Sequence, residues 1–241
     1  MSAFRPGSRR LWTLTTLAVA GCAASLLVGG CAERQAGAAG ADCTPANLDL
    51  TAPDSTARDW VTYADHLAIV YVTAETPGAK DTDVGDPATG VQARSVTVQV
   101  NKVLWSRAKA PRLPAAMTWS AAGWTFDAHG REKTYWWGYP RLEVGHTYVS
   151  PITYWRHDTP EDDAWAEFTP RGVLPYDDGV LGEGETTPCA NPQWAPVAEK
   201  MIGERAAALA DVLHRTKPDQ RAVPYMDLNQ SERYRRVAQA D

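Results

Sequence analysis

Apolar residues recur at every second position through the middle of the chain and at every third or fourth near its end, so the pattern predicts a run of strands followed by helix. Residues 67–72 read LAIVYV, apolar on both alternating faces, which predicts a strand covered on both sides or paired in a closed barrel. Residues 95–105 alternate cleanly, with Val96, Val98 and Val100 against Thr97, Gln99 and Asn101 before Val103, Leu104 and Trp105 close the segment. Further strands are expected over 115–120, within 123–137, and over 145–155, 164–169 and 172–176, with Pro151 marking an edge or a bulge. Residues 76–92, rich in Gly, Pro, Asp and Thr, read as a loop, and Asp178-Gly179 as a tight turn. Ser55 and Thr56 precede a short capped helix over 57–64. From Pro196 onward Ala198, Ile202, Ala206, Leu209 and Leu213 keep helical spacing, predicting an amphipathic helix of about twenty residues that ends near His214. A polar helix over 231–240 follows. The expected fold class is mainly β: a small antiparallel barrel with a C-terminal amphipathic helix, α+β overall.

The N-terminus has a different texture. Arg5, Arg9 and Arg10 stand without an acidic residue before an apolar run over 11–28, the arrangement of an export signal. That run also approaches the length of a membrane-spanning anchor, which keeps an uncleaved leader in play. Leu27, Val28, Gly29, Gly30 and Cys31 resemble the lipobox of bacterial lipoproteins, which implies cleavage before Cys31 and a diacylglyceryl, palmitate-type modification of its thiol. Val19, Ala20, Gly21 and Cys22 fit the small-residue pattern as well. After Cys22, however, the chain stays apolar, whereas after Cys31 it turns polar at once. The resulting organisation is a signal peptide over 1–30, a flexible tether over 31–42, a β-barrel-like domain over 43–190 and a C-terminal helical segment over 191–241. Two acyl chains make a stable anchor, so the expected location is the outer face of the cytoplasmic membrane.

Composition narrows the partners. The whole chain has formal charge −5, and removing a leader with three arginines and no acid leaves −8. That balance argues against sequence-independent nucleic-acid binding. With Cys22 discarded and Cys31 acylated, Cys43 and Cys189 remain in an oxidising compartment, where a disulfide between them is expected and two free thiols are the alternative. Such a bridge closes a loop of about 145 residues, worth roughly 4 to 5 kcal/mol in loop-closure entropy.

A resemblance supports the fold. Tyr63, Ala64, Asp65 and His66 leading into LAIVYV, then SVTVQVNKVLW, then Val144, Gly145, His146, Thr147, Tyr148 and Val149, are similar to a pattern in secreted bacterial domains with netrin-like and metalloproteinase-inhibitor-like barrels of OB type. The likeness spans roughly residues 60–182. The chain departs from it at Trp105 and Ser106, where that pattern has a glycine, and Cys43 lacks the paired CxC start of the inhibitors. The resemblance therefore implies an OB-like or netrin-like barrel and carries no activity with it.

Signatures of the common hydrolases, nucleotide-binding loops and dinucleotide folds do not occur in the sequence. The five histidines, at 66, 129, 146, 157 and 214, are scattered. His157 with Asp158, Glu161, Asp162 and Asp163 forms the densest polar cluster, suited to a divalent cation or simply to a solvated loop. Asp81, Asp83 and Asp86 imitate a calcium loop, but Gln92 stands where its bidentate glutamate belongs. Nine tryptophans remain after the leader, and in TYWWGYP the adjacent Trp136 and Trp137 of a strand must face opposite ways. Tyr135, Trp136, Trp137 and Tyr139 are thus the candidate contact patch, against the plainer use of tryptophan to fill a small barrel. The expected role is a non-catalytic binding module at the cell envelope, without cofactor or metal, for a cell-wall glycan or an envelope protein. A metal-dependent hydrolase using the 157–163 cluster and an assembly factor for another membrane protein are the alternatives.

Overall fold

The computed structural model describes residues 52–136, 139–156, 159, 163–185 and 193–240, together with the backbone of Cys43 and Thr44. A two-residue strand, β1 (Cys43–Thr44), precedes helix α1 (Ala57–Tyr63). Two antiparallel hairpins follow: β2 (His66–Asp83) with β3 (Asp86–Ser106), and β4 (Ala116–Asp127) with β5 (Gly130–Lys133). Then come β6 (Tyr135–Trp136), β7 (Thr147–Trp155), β8 (Ala164–Glu167), β9 (Leu174–Pro175) and helices α2 (Pro196–Glu199), α3 (Ala206–Arg215) and α4 (Gln230–Ala238). The main sheet runs β5-β4-β3-β2-β7, and β8 and β9 pair successive parts of the far edge of β7. A separate parallel pair joins β1 to β6. The architecture is mainly β and antiparallel with C-terminal helices, as the residue pattern predicts.

The sheet curls until β4 lies against β8, yet among the described residues no ladder joins the two, so it stays open along a seam. Its concave side is filled by Val70, Val72, Val96, Val98, Met117, Trp119, Tyr148 and Ile152. On the convex side Leu67, Trp105, Val149 and Leu174 pack against Trp60, Val61, Leu209 and Leu213 of α1 and α3. The LAIVYV segment is apolar on both faces because both are covered, and it is also hydrogen-bonded on both edges, to β3 and to β7.

Local chemistry explains the element boundaries. Helix α1 starts at a complete capping box, where the Thr56 hydroxyl accepts from the Asp59 amide and the Asp59 carboxylate accepts from the Thr56 amide. In β4 the residues Ala122 and Gly123 together oppose Ala93, a bulge. Only glycine fits there, since a Cβ on Gly123 would fall 1.9 Å from the Gln92 carbonyl oxygen. Pro151 is neither at an edge nor in a bulge. Its carbonyl accepts from Phe168 in the gap between β8 and β9, where the chain makes a 3-10 turn (Pro170–Gly172), so the N–H that proline lacks falls opposite no partner strand.

Two expected elements differ in the structure. The loop expected over 76–92 is instead the exposed outer part of the β2–β3 hairpin, laddered from Thr76 with Ser95 to Asp83 with Asp86. Its Gly, Pro and Asp content reads as loop because neither face is buried, and backbone pairing needs no apolar face. The single twenty-residue helix expected from Pro196 is two, α2 and α3, separated by a turn in which Gly203 takes φ +87. Ile202, which continues the helical spacing, is exposed in that turn. Helix α4 is anchored, with Asn229 capping it and Arg233 and Val237 buried. Among the described residues no helix is long and apolar enough to cross a membrane.

Candidate functional site

Three polar features interrupt the apolar interior, and they differ in whether their groups are used. The first centres on Asp65, between α1 and β2. Its carboxylate accepts from Arg107 Nε at 2.6 Å, from the Thr153 hydroxyl at 3.1 Å and from the Tyr154 amide at 2.8 Å. Arg107 also donates to the Met226 carbonyl at 2.7 Å, and the buried Arg233 donates to the carbonyls of Thr62 and Leu228. Burial first, and then the charge of Arg107, push the Arg233 guanidinium down to about 10. Beside them His66 bridges Ser106 Oγ and the Pro111 carbonyl at 2.8 Å each, and burial lowers its pKa. This hub ties the start of β2 to the end of β3, to β7 and to the segment before α4, and it is consumed by that work.

The second feature stacks the guanidinium groups of Arg94, Arg131 and Arg141 around the Trp124 ring, at 5.9, 4.3 and 5.2 Å from its centroid. Arg94 pairs with Glu75 at 2.6 Å and Arg141 with Glu143 at 2.8 Å. Burial pulls the Glu143 carboxyl upward, but its bond from Lys133 and the charge of Arg141 outweigh that and hold it below the usual range. Leu142 takes φ +63, which turns the amides of Arg141, Leu142 and Glu143 toward one carboxylate, that of Glu185. The Tyr148 hydroxyl donates to the same carboxylate, and burial raises its pKa. This cluster fastens the 139–146 segment to the sheet.

The third feature lies in the seam. A cavity of about 20 Å³ is lined by Ser120, Ala121 and Ala122 of β4, by Trp136, Tyr139, Pro140 and Leu142, and by Glu167, Pro170 and Val173. Glu167 ends β8 directly across from Ile152, so its side chain shares the concave face. Oε2 of Glu167 is shielded from solvent and has no hydrogen-bond partner among the described residues. Burial pushes this carboxyl up to about 7, its own backbone pulling slightly the other way. The described residues leave several buried nitrogens unpartnered as well, among them Arg94 Nε, Arg141 Nε and Trp119 Nε1, but Glu167 is the one such residue that also lines this cavity, which makes the seam the candidate site.

The sequence-derived contact patch meets this seam in part. Trp136 is half-buried and lines the cavity, Tyr135 is half-buried in β6, and Tyr139 is a lining residue only 6% exposed, its hydroxyl pushed up to about 12 by burial. Trp137 lies outside the described residues, as do Cys31, Cys189, the side chain of Cys43, and His157, Asp158, Glu161 and Asp162. Of that last cluster Asp163 is described, 3.4 Å from the Tyr154 hydroxyl. Among the described residues no group of three His, Cys, Asp or Glu side chains could hold a metal ion. Trp60, Trp105, Trp119 and Trp124 are buried, so filling the interior accounts for those four. Glu167 escapes a reading of the sequence; its one signal is a lone charge in the AWAEF run, where the flanking residues are apolar. Comparison with family models, with curated proteins and with solved structures finds no match for this chain.

Proposed function

We propose that the chain is a lipid-anchored, extracytoplasmic binding module of the cell envelope that takes its ligand at the seam between β4 and β8. The observation that carries the reading is the cavity lined by Glu167, whose Oε2 has no partner among the described residues, and by the half-buried Trp136. An aromatic ring and one buried polar group in an otherwise apolar pocket supply contact area and orientation, the two components of recognition. The leader and the Cys31 lipobox support attachment through two acyl chains, which would hold the seam close to the wall.

The test is co-sedimentation of the detergent-solubilised protein with purified wall sacculi. Saturable binding that Trp136→Ala abolishes while the variant keeps its circular dichroism supports the reading. Absence of binding by folded protein removes the wall as ligand. A turnover that chelators abolish would favour instead the hydrolase built on the 157–163 cluster. Separately, Cys31→Ala should move the protein from membranes to the soluble fraction, and unchanged processing in that variant transfers the lipid to Cys22.

A further inference from the structure

We propose that the seam receives a lysine-type side chain, with a primary ammonium against Glu167 Oε2 and its methylene stem along Trp136, Pro140 and Val173. The inference rests on the binding-module reading and names the chemistry of its ligand. The cavity of about 20 Å³ admits one water-sized group, and an ammonium head has that size. Its lining is apolar at Ala121, Ala122, Leu142 and Pro170, which sets no penalty on a methylene stem, and although Ser120, Trp136 and Tyr139 also line it, none of the described residues bonds Glu167 Oε2.

The buried arginine head groups pair with other residues. Arg94 and Arg141 serve Glu75, Glu143 and the Gly123 carbonyl, and Arg171 serves Asp54. Burial alone raises the Glu167 carboxyl, no charged side chain acting on it. What the site lacks is therefore one small cationic donor, and the Trp136 ring at its border favours the same charge. A bulky guanidinium exceeds the space of one water-sized group, and an amine set directly on a sugar ring brings no methylene stem.

The experiment titrates the whole protein with Nα-acetyl-lysine amide, Nα-acetyl-norleucine amide and glucosamine, followed by tryptophan emission. The lysine derivative should bind saturably and at least about tenfold more tightly than the other two, and Glu167→Gln should remove that advantage. Equal affinity for the norleucine derivative, preference for glucosamine, or unchanged lysine affinity in the variant overturns the proposal. A second measurement needs no variant: carboxyl-carbon magnetic resonance should show the Glu167 midpoint falling by about one unit or more with the lysine derivative bound, because a cation favours the charged form. An unmoved midpoint overturns it equally. Sacculus binding that persists when the lysine derivative fails leaves the binding module standing and sinks only this ligand.

Discussion

Two carboxylates meet neighbouring residues of β7, and their fates differ. Asp65 accepts three hydrogen bonds, one of them from the buried guanidinium of Arg107. Glu167, paired across from Ile152, leaves a shielded oxygen with none from the described residues. Asp65 is buried and Glu167 is half-buried with Oε2 shielded from solvent, so the difference lies in what the chain built around those oxygens. Asp65 holds elements together and has nothing left to offer. Glu167 Oε2 ties no described elements together. A buried charge without a partner lowers stability, so an oxygen so placed in a cavity wall is the one of the two carboxylates at which an outside donor would stabilise the fold.

The strongest way to break this contrast is to remove the satisfied carboxylate. Asp65→Ala strands Arg107 without its counter-charge, and truncating one partner of a buried pair is expected to cost about 3 to 5 kcal/mol. Urea unfolding measures it, and Asp65→Asn, which keeps an acceptor for Thr153 and Tyr154, should lose less. A loss below about 1 kcal/mol for Asp65→Ala would mean that the hub contributes no more than an exposed pair and that the comparison is empty.

Glu167 predicts the opposite sign. In the unfolded chain its carboxyl titrates near 4.5, and in the folded protein near 7, so the native state holds the proton more tightly. The stability this provides is complete below pH 4.5 and is lost as the pH rises through about 7. The shift corresponds to a loss on the order of 3 kcal/mol. Because other groups titrate over the same range, the measurement is the difference between the protein and Glu167→Gln across that range. The variant should be the more stable of the two above pH 7, and curves that stay parallel would show that the carboxyl is solvated after all.

The aromatic border of the seam should be more tolerant than the interior. Trp136 is half-buried, and Trp136→Ala is expected to lower stability by less than about 1.5 kcal/mol, whereas Trp119→Ala, in the filled concave side, should lose about 3 to 5 kcal/mol. Thermal melting of the two variants side by side decides it. If they fall together, Trp136 is a structural ring like the others and the seam loses its contact residue.

Much of the scaffold was legible because periodicity reports burial directly. LAIVYV announces a strand covered on both faces, and the 95–105 alternation gives the one-sided register of β3. The misreadings have separate causes: a pattern reports faces, and pairing without burial leaves no trace in it, which hid the outer hairpin over 76–92. The broken C-terminal helix turned on one left-handed glycine, Gly203, in a segment whose apolar spacing continues undisturbed. Asp65 stands in the motif before β2, but its three donors come from Arg107, Thr153 and Tyr154, as many as 89 positions away. Glu167 was hidden for the same reason. Whether a lone acid in an apolar strand is exposed or points into a seam depends on which strands fail to join, here β4 and β8.

The smallest expected effect tests whether the two regions are independent. The capping box at Thr56 fixes the start of α1, whose C-terminal end leads within two residues to Asp65 and lies far along the chain from the seam. Thr56→Ala removes the hydroxyl that accepts the Asp59 amide and should cost about 1 kcal/mol, with Thr56→Ser restoring most of it. If the hub and the seam are separate devices, that loss appears in thermal melting while the Glu167 midpoint stays at about 7. A midpoint that moves with the cap would show that strain at the convex helix reaches β8 through β7, the strand both carboxylates share. The seam would then be tuned by the packing of α1, and its occupancy would in turn stabilise that helix, since coupling between two sites runs equally in both directions.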